Sequence, residues 1–197
     1  VVERAPVLGG ATSWSGGWMW TPGTRFAEYA GEAEDPERFR IYLREVLGEH
    51  YEAERMEAFL EAAPRMVDFF QKQTFLEFVP GKRINDIYGS LPGAGTGYRS
   101  VGPKPLNARR LPRRLRRMLR RQLYETSFLG MGIMAGPDLQ AFLGASRGSL
   151  SGLWHATWRF GLHLMDMLFH RQGVQLVNGT ALTARLAKSA MDRGVGL

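Results

Sequence analysis

The residues best suited to chemistry lie at the start of the chain, in a segment rich in glycine and hydroxyl side chains. Two valines precede Glu3 and Arg4, and the run Gly9-Gly10-Ala11-Thr12-Ser13-Trp14-Ser15-Gly16-Gly17 follows. In dinucleotide-binding folds, an acid at the end of a hydrophobic strand accepts hydrogen bonds from ribose hydroxyls. Paired glycines let backbone amides approach a pyrophosphate. We therefore predict a strand that ends at Glu3 and a loop over residues 9–17 with at least one glycine at positive φ.

A glycine-rich surface turn is the alternative interpretation of Gly9-Gly10 alone. The ordered series of strand, Glu, Gly-Gly, hydroxyl, Ser-Gly-Gly, Trp and Pro favours a cofactor loop instead. It also resembles a known family, the flavoproteins of the fumarate reductase and 3-ketosteroid Δ1-dehydrogenase group. The matching residues are Glu3-Arg4, residues 9–17 and Trp20-Thr21-Pro22, with weaker matches at Gly97–Ser100 and Gly179–Leu186.

The resemblance implies FAD as cofactor and assigns residues to it. Glu3 is expected to bind ribose, whereas Gly9, Gly10 and Thr12 approach the pyrophosphate and Ser15, Gly16 and Gly17 line the flavin ring. Arg4 and Ala11 belong to the same cofactor-binding set, although the family more often has a hydroxyl at the position of Ala11. The complete set is Glu3, Arg4, Gly9, Gly10, Ala11, Thr12, Ser15, Gly16 and Gly17.

The same resemblance implies a reaction: hydride transfer to FAD from a C–C bond next to a carbonyl group. The expected partner is a small molecule, either a 3-ketosteroid or another enone precursor. Steroid dehydrogenases of the group often carry Asp-Tyr-Tyr, whose first tyrosine is catalytic. Here Asp86-Ile87-Tyr88 stands in that place, so Tyr88 matches the second tyrosine only. Tyr88 is the candidate phenol donor, and an ordinary loop tyrosine is the alternative.

The fold class implied for the parent protein is α/β, a Rossmann-like flavin-binding domain, and residues 1–197 are expected to be mainly α-helical with a few short strands. We interpret the chain as a partial FAD-binding domain. It lacks the N-terminal Gly-x-Gly-x-x-Gly unit and the C-terminal substrate domain, and we expect it to be inactive alone.

Apolar periodicity and helix caps predict the secondary structure. Helices are expected from Asp35-Pro36 to Gly48, over 52–62, from Pro64, over 150–171 and over 180–193. Strands are expected at 74–79 and 174–177, and a long loop is expected to end near 107.

The charge pattern allows a second function. The net charge is +7, and eight arginines fall between Arg109 and Arg121. A basic helical module that binds nucleic acid or protein is therefore the alternative to the flavoprotein. No aromatic residue alternates with the arginines, so a base-stacking surface is not expected. We predict exposed arginines above an inward apolar stripe, which consists of Leu111, Leu115, Met118 and Leu119.

Composition excludes several classes of site. The chain has no cysteine, so disulfide scaffolds, iron–sulfur sites and thiolate zinc are absent. The lack of cysteine fits a reducing compartment, and we expect a cytoplasmic protein. His163 and His170 lack the i, i+4 spacing of a helical metal pair, so no metal is expected. Charged or polar residues interrupt every apolar stretch before it reaches the length of a bilayer-spanning helix, and we expect no membrane span.

Overall fold

Helices dominate the computed structural model, which describes residues 3–121 and 127–197. The predicted strand at Val1-Val2 lies outside the described residues. The chain divides into two compact units: Met19–Gly102 forms one, and the described residues before Met19 form the other with those of Pro103–Leu197. The prediction of a mainly helical chain with a few short strands is confirmed.

The unit Met19–Gly102 contains three helices and a small sheet. The helices are α1 (Arg25–Ala30), α2 (Pro36–Leu47) and α3 (Ala53–Gln73), and the strands are β1 (Met19–Trp20), β2 (Phe78–Pro80) and β3 (Ser100–Pro103). Strand β3 lies between the other two and runs antiparallel to β1, with Met19 opposite Val101.

Helix α2 begins and ends where its sequence predicts. The Asp35 carboxylate accepts a hydrogen bond from the Glu37 amide at 2.9 Å, and Pro36 occupies the first helical position. Gly48 ends the helix with φ of 53°, a left-handed value that costs glycine little. The cap residues were therefore sufficient to predict this helix.

The prediction of two helices separated at Pro64 is wrong, because α3 continues through this proline for 21 residues. An interior proline costs roughly 3 kcal/mol or more. Ala63 and Val67, on either side of it, are 6% and 2% exposed, so packing against the rest of the unit offsets that cost. The strand predicted at 74–79 is also displaced, since β2 begins only at Phe78. The long loop predicted to follow it contains β3 and a further short strand.

The other unit is built around a helix near the end of the chain. Its strands β4 (Leu106–Asn107) and β5 (Gln175–Leu176) pair antiparallel. Its helices are α4 (Arg113–Met118), α5 (Pro137–Ser146), α6 (Leu150–His170) and α7 (Asn178–Asp192). The predictions of α6 and α7 are confirmed, with only small shifts at their ends. Helix α7 lies in the core of this unit, where Ala181 and Ala184 are completely buried.

The arginine-rich segment is less helical than its periodicity predicts. A single 3₁₀ turn covers Ala108–Arg110, and α4 covers only Arg113–Met118, because Pro112 separates the two. Leu111 and Leu115 are buried, at 3% and 0% exposed, as predicted. Met118 and Leu119 are only half-buried. Six of the eight arginines are exposed, namely Arg109, Arg110, Arg113, Arg114, Arg117 and Arg121.

Within the described part of the chain, no helix is both long enough and apolar enough to cross a membrane.

Candidate functional site

The glycine-rich segment forms a loop, as predicted. Gly9, Gly10 and Gly17 have φ of 123°, 48° and 67°. Between them, Thr12–Trp14 makes one turn of 3₁₀ helix. We call residues 9–17 the glycine loop. Its backbone adopts values that only glycine accepts without strain, so these three positions depend on the absence of a side chain.

The glycine loop rests on the first turn of α7, at a distance that excludes side chains on either backbone. The Gly179 amide donates a hydrogen bond to the Ser15 carbonyl at 3.0 Å. A Cβ atom on Gly179 would lie 1.7 Å from the Thr12 carbonyl oxygen, and a Cβ atom on Gly17 would lie 2.7 Å from the Gly179 nitrogen. The two glycines therefore permit direct contact between loop and helix.

A buried hydroxyl pair holds the loop on the same helix. The Ser13 hydroxyl donates to the Thr183 hydroxyl at 3.1 Å, and both residues are buried. A Cβ atom on Gly9 would lie 1.9 Å from the Ser13 hydroxyl oxygen. The glycines at positions 9 and 17, which the resemblance assigned to FAD, are thus required by packing within the protein.

The arginine-rich segment lies beside the glycine loop. The Leu8 amide donates to the Met118 carbonyl at 2.6 Å, and the Arg120 amide donates to the Leu8 carbonyl at 2.9 Å. The Arg120 guanidinium lies 4.7 Å from the centre of the Trp14 ring, within cation–π distance. The segment is therefore part of the loop's support, and the separate basic module that its charge suggested is not supported.

The outer side of the glycine loop is exposed and carries backbone donors that have no partner among the described residues. Ala11, Thr12, Ser15 and Gly16 are exposed, and a Cβ atom on Gly10 would meet nothing within 4 Å. Among the described residues, none accepts a hydrogen bond from the amides of Gly10, Ala11 or Gly16. Backbone amides without protein partners are donors that can bind phosphate groups. The residues present therefore fit the FAD that the resemblance implies.

The predicted hydroxyl and charged residues have different surroundings. The Ser15 hydroxyl donates to the Thr12 carbonyl at 2.8 Å and accepts from the Gly17 amide at 3.1 Å, so it braces the loop. Thr12 is exposed. Glu3 and Arg4 are exposed as well, and the Glu3 carboxylate accepts a hydrogen bond from the Ala5 amide at 3.0 Å. The role of Glu3 toward ribose stays a prediction.

Two buried polar atoms at the base of the loop were not foreseen. Within the described ranges, the Trp18 indole nitrogen and the Asn178 amide oxygen have no hydrogen-bond partner. Asn178 has φ of 53° and donates through its side chain to the Ile133 carbonyl at 2.9 Å. Buried polar atoms normally have partners, so one donor and one acceptor remain available at this position. The only signal in the sequence is their position, directly after Gly17 and directly before Gly179.

Tyr88 lies in the other unit, on a segment supported by buried charges. The Tyr88 side chain is 55% exposed, and its amide donates to the Tyr42 hydroxyl at 3.3 Å. Asp86, two residues before it, is buried and accepts hydrogen bonds from the Trp20 indole at 2.7 Å and the Gly95 amide at 2.8 Å. The exposed Tyr88 phenol therefore lies two residues after a carboxylate, Asp86, that hydrogen bonds hold in place.

Arg99 completes that anchor. Its guanidinium donates to Asp86 at 2.7 Å and to Glu34 at 2.6 Å, and the residue is 1% exposed. Burial by itself lowers the pKa of Arg99, but the hydrogen bonds and charges of Glu34 and Asp86 outweigh burial and raise it. Arg99 therefore stays charged and holds two carboxylates in place. Arg99 belongs to the Gly97–Ser100 segment that resembles the family, but the resemblance assigns no role to this arginine.

Comparison with known proteins agrees with this geometry. The family described as FAD binding domain matches residues 1–197. The chain is 34% identical over 202 residues to a 4-oxocyclohex-2-ene-1-carboxylate 5-dehydrogenase of Sinomonas cyclohexanicum, a match covering 99% of this chain and 32% of that protein. It is 43% identical over 113 residues to a 3-oxosteroid 1-dehydrogenase of Mycobacterium tuberculosis, covering 56% of this chain and 20% of that protein.

A solved structure gives the same result. A 3-ketosteroid delta1-dehydrogenase from Sterolibacterium denitrificans, in complex with 1,4-androstadiene-3,17-dione, matches with a TM-score of 0.83 and 25% identity. The match covers 100% of this chain and 35% of that one. The predicted class, a flavin-binding domain, is thereby confirmed. The chain spans about a third or less of the length of these relatives.

Proposed function

This chain belongs to the FAD-binding domain family, and we propose that it is the flavin-binding part of a dehydrogenase that desaturates a C–C bond next to a carbonyl group. The observation that carries the proposal is the glycine loop, which is seated on α7 while its outer amides remain free of partners among the described residues. The resemblance to dehydrogenases of cyclic ketones supports the reaction class. We propose a cytoplasmic location, in keeping with the absence of cysteine.

In this proposal the glycine loop binds the cofactor through its backbone. The amides of Gly10 and Ala11 and the hydroxyl of Thr12 hold the pyrophosphate, Gly16 lines the flavin ring, and Glu3 binds ribose. The indole nitrogen of Trp18 and the amide oxygen of Asn178 supply a buried donor and acceptor. The chemistry that FAD supplies when bound is acceptance of a hydride from the substrate. The protein's own task is to orient the cofactor and to assist the loss of the neighbouring proton.

We propose a cyclic ketone as substrate, with 3-ketosteroids first. Two relatives support this choice, since one is a 3-oxosteroid dehydrogenase and another is a dehydrogenase of an oxocyclohexene carboxylate. Both names describe substrates with a ring ketone. We propose that the bond that reacts in the substrate of this protein is a ring C–C bond beside such a ketone. Tyr88 is proposed as the phenol that hydrogen-bonds near the reacting carbon or its carbonyl.

The first prediction tests the cofactor loop. Gly10→Ala should weaken FAD binding at least tenfold, because its new methyl group points into the open side of the loop, where the pyrophosphate is proposed. Gly31→Ala is the matched control, since Gly31 also has a left-handed φ, 72°, and an equally open surrounding. In both variants the left-handed alanine destabilises the folded state by about 1 kcal/mol, so this cost is the same in the test and the control. FAD fluorescence titration of the apoproteins measures the difference, and equal affinities would contradict the assignment of the loop.

The second prediction tests Tyr88. Tyr88→Phe should lower kcat on a 3-ketosteroid about 100-fold, because a positioned general acid or base contributes on the order of 10² to 10⁴ in rate. FAD binding and its absorbance spectrum should not change. Tyr29→Phe is the control, as Tyr29 is 82% exposed. If both variants keep the normal kcat, Tyr88 is an ordinary loop tyrosine, whereas the assignment of the FAD site would remain.

A further inference from the structure

The segment that carries Tyr88 is a loop whose two ends are joined. It lies between β2 and β3, and we call residues 86–95 the Tyr88 loop. The Asp86 amide donates to the Gly95 carbonyl at 3.0 Å, and the Gly95 amide donates to the Asp86 carboxylate at 2.8 Å. The Tyr88 carbonyl accepts from the Leu91 amide at 3.0 Å, which closes a turn inside the loop. The loop is therefore fixed at its base and ordered by its own hydrogen bonds.

The second half of the Tyr88 loop is seated on α2. Gly93 has φ of 75°, and a Cβ atom on it would lie 2.5 Å from the Arg38 carbonyl oxygen and 2.8 Å from the Tyr42 nitrogen. The Arg38 guanidinium donates to the Ala94 carbonyl at 3.1 Å, and Arg99 donates to the Gly93 carbonyl at 2.7 Å. Loop and helix backbones thus touch directly, and close-packed contacts of this kind permit little movement.

Two aromatic side chains hold the first half of the loop. The Trp20 indole donates to the Asp86 carboxylate at 2.7 Å, and the Tyr42 hydroxyl accepts from the Tyr88 amide at 3.3 Å. The centres of the Trp20 and Tyr42 rings are 5.8 Å apart, a distance typical of aromatic pairs. Trp20 also stacks on Phe59, with ring centres 6.1 Å apart. The two ends of the short stretch from Asp86 to Tyr88 are therefore bonded to two side chains that support each other.

The side chains at the tip of this firmly held loop are exposed. Ile87 is 91% exposed and Tyr88 is 55% exposed, whereas Asp86 and Tyr42 are each only 6% exposed. Binding and catalytic residues are often found on loops that a rigid scaffold positions. A catalytic group must also be held close to its productive geometry by neighbours whose own conformations are fixed. The buried contacts of the Tyr88 loop meet this requirement for the exposed phenol.

We propose, on the basis of the role proposed for Tyr88, that Tyr42 and Trp20 are positioning residues for that tyrosine. Tyr42 fixes the Tyr88 backbone through its hydroxyl, and Trp20 fixes Asp86 through its indole nitrogen. Together they hold the phenol in one place before the substrate binds, and both act through Tyr88. A misplacement of about 1 Å can reduce the rate of a reaction roughly 100-fold. Loss of either hydrogen bond should therefore slow the reaction without weakening substrate binding.

A mutant cycle in the FAD-loaded full flavoprotein tests these roles. Tyr42→Phe removes only a hydroxyl, and Trp20→Phe removes the indole donor but keeps an aromatic ring. Each should lower the maximal rate of flavin bleaching by a 3-ketosteroid at least tenfold, and should change the half-saturating steroid concentration less than twofold. When either is added to Tyr88→Phe, the rate should fall less than twofold further, because interactions that act through one residue are not additive.

Tyr51→Phe is the matched control for the lost hydroxyl. Tyr51 lies in the same unit and is half-buried, and its ring centre is 5.5 Å from the Arg44 guanidinium. This variant should be bleached at the parental rate. Hydrogen exchange then reports on the loop independently of activity. Peptides that cover the Tyr88 loop should exchange at least tenfold faster in Tyr42→Phe, because the Tyr88 amide loses its acceptor, and at the parental rate in Tyr51→Phe.

Gly93→Ala displaces the Tyr88 loop by a different route. The added methyl group meets the α2 backbone, so the maximal bleaching rate should again fall at least tenfold. Gly48→Ala is its control, since Gly48 also has a left-handed φ, 53°, but a Cβ atom there meets nothing within 4 Å. It should be bleached normally. Unchanged circular dichroism spectra in all variants show that the proteins fold.

The possible results separate the positioning roles from the proposed function. If Tyr88→Phe slows bleaching while Tyr42→Phe and Trp20→Phe do not, the positioning roles are wrong and the proposed function stands. Further tenfold losses on top of Tyr88→Phe would also overturn them, because the residues would then act independently of Tyr88. Normal bleaching in Tyr88→Phe removes the role of Tyr88 and the positioning roles with it. If no 3-ketosteroid bleaches the parent protein, the proposed substrate is wrong, and the exchange rates alone decide whether Tyr42 holds the loop.

Discussion

Gly179→Ala should abolish stable FAD binding. The added Cβ atom would lie 1.7 Å from the Thr12 carbonyl oxygen, far inside any van der Waals contact. The obstacle is backbone, so no side-chain rotation relieves it, and the glycine loop must leave α7. The hydrogen bond from the Gly179 amide to the Ser15 carbonyl is lost with it. Overpacking of this kind costs typically about 1–3 kcal/mol and occasionally more, and we expect FAD affinity to fall at least 100-fold.

Gly161→Ala is the matched control for that variant. Gly161 also lies inside a helix, but a Cβ atom there meets nothing within 4 Å. Alanine is favoured over glycine in helices by about 1 kcal/mol, so this variant should be as stable as the parent or more so, with unchanged FAD affinity. Apoprotein titration with FAD and thermal melting measure both quantities. Normal FAD affinity in Gly179→Ala would mean that the loop binds the cofactor without resting on α7.

Arg99→Met should give the largest loss of stability. It removes the cation shared by two carboxylates, Asp86 and Glu34, in the unit that carries Tyr88. Breaking a buried ion pair from one side costs about 3–5 kcal/mol, because an uncompensated charge remains in the interior. Arg65→Met is the control, since Arg65 pairs with Glu61 where the two side chains are 76% and 73% exposed. An exposed pair contributes about 0–1 kcal/mol.

A triple variant separates burial of charge from simple loss of packing. Adding Asp86→Asn and Glu34→Gln to Arg99→Met removes both carboxylate charges, of which that of Glu34 also pairs with Arg38, and should recover part of the lost stability. Urea unfolding followed by circular dichroism measures all three proteins. If Arg99→Met unfolds at the same urea concentration as Arg65→Met, the ion-pair cluster does not anchor this unit.

The glycine loop could be predicted from sequence because its requirements are local. Gly9, Gly10 and Gly17 adopt positive φ values, which glycine favours. The order of the glycines in the sequence is therefore enough to predict a loop. Helix α2 was predictable for the same reason, since Asp35, Pro36 and Gly48 are caps whose action reaches only a few residues. The family resemblance rested on the same short-range features, and the family match bears it out.

Features that depend on distant packing were missed. The continuation of α3 through Pro64 depends on the burial of Ala63 and Val67, which no local rule contains. The cofactor role expected for Gly9 and Gly17 overlooked α7, which lies near the opposite end of the sequence. The arginine-rich segment looked like an independent module because its attachment to Leu8 is made by backbone hydrogen bonds, which leave no trace in side-chain pattern.

The hydroxyl pair between Ser13 and Thr183 joins positions 170 residues apart. During synthesis the ribosome adds roughly 5–20 residues each second, so the glycine loop waits on the order of ten seconds or more for the helix on which it rests. In the nascent chain, α6 is therefore synthesised before α7, at a time when the glycine loop cannot yet make its contacts with α7. We therefore expect the glycine loop to reach its FAD-binding conformation only after α7 has been synthesised.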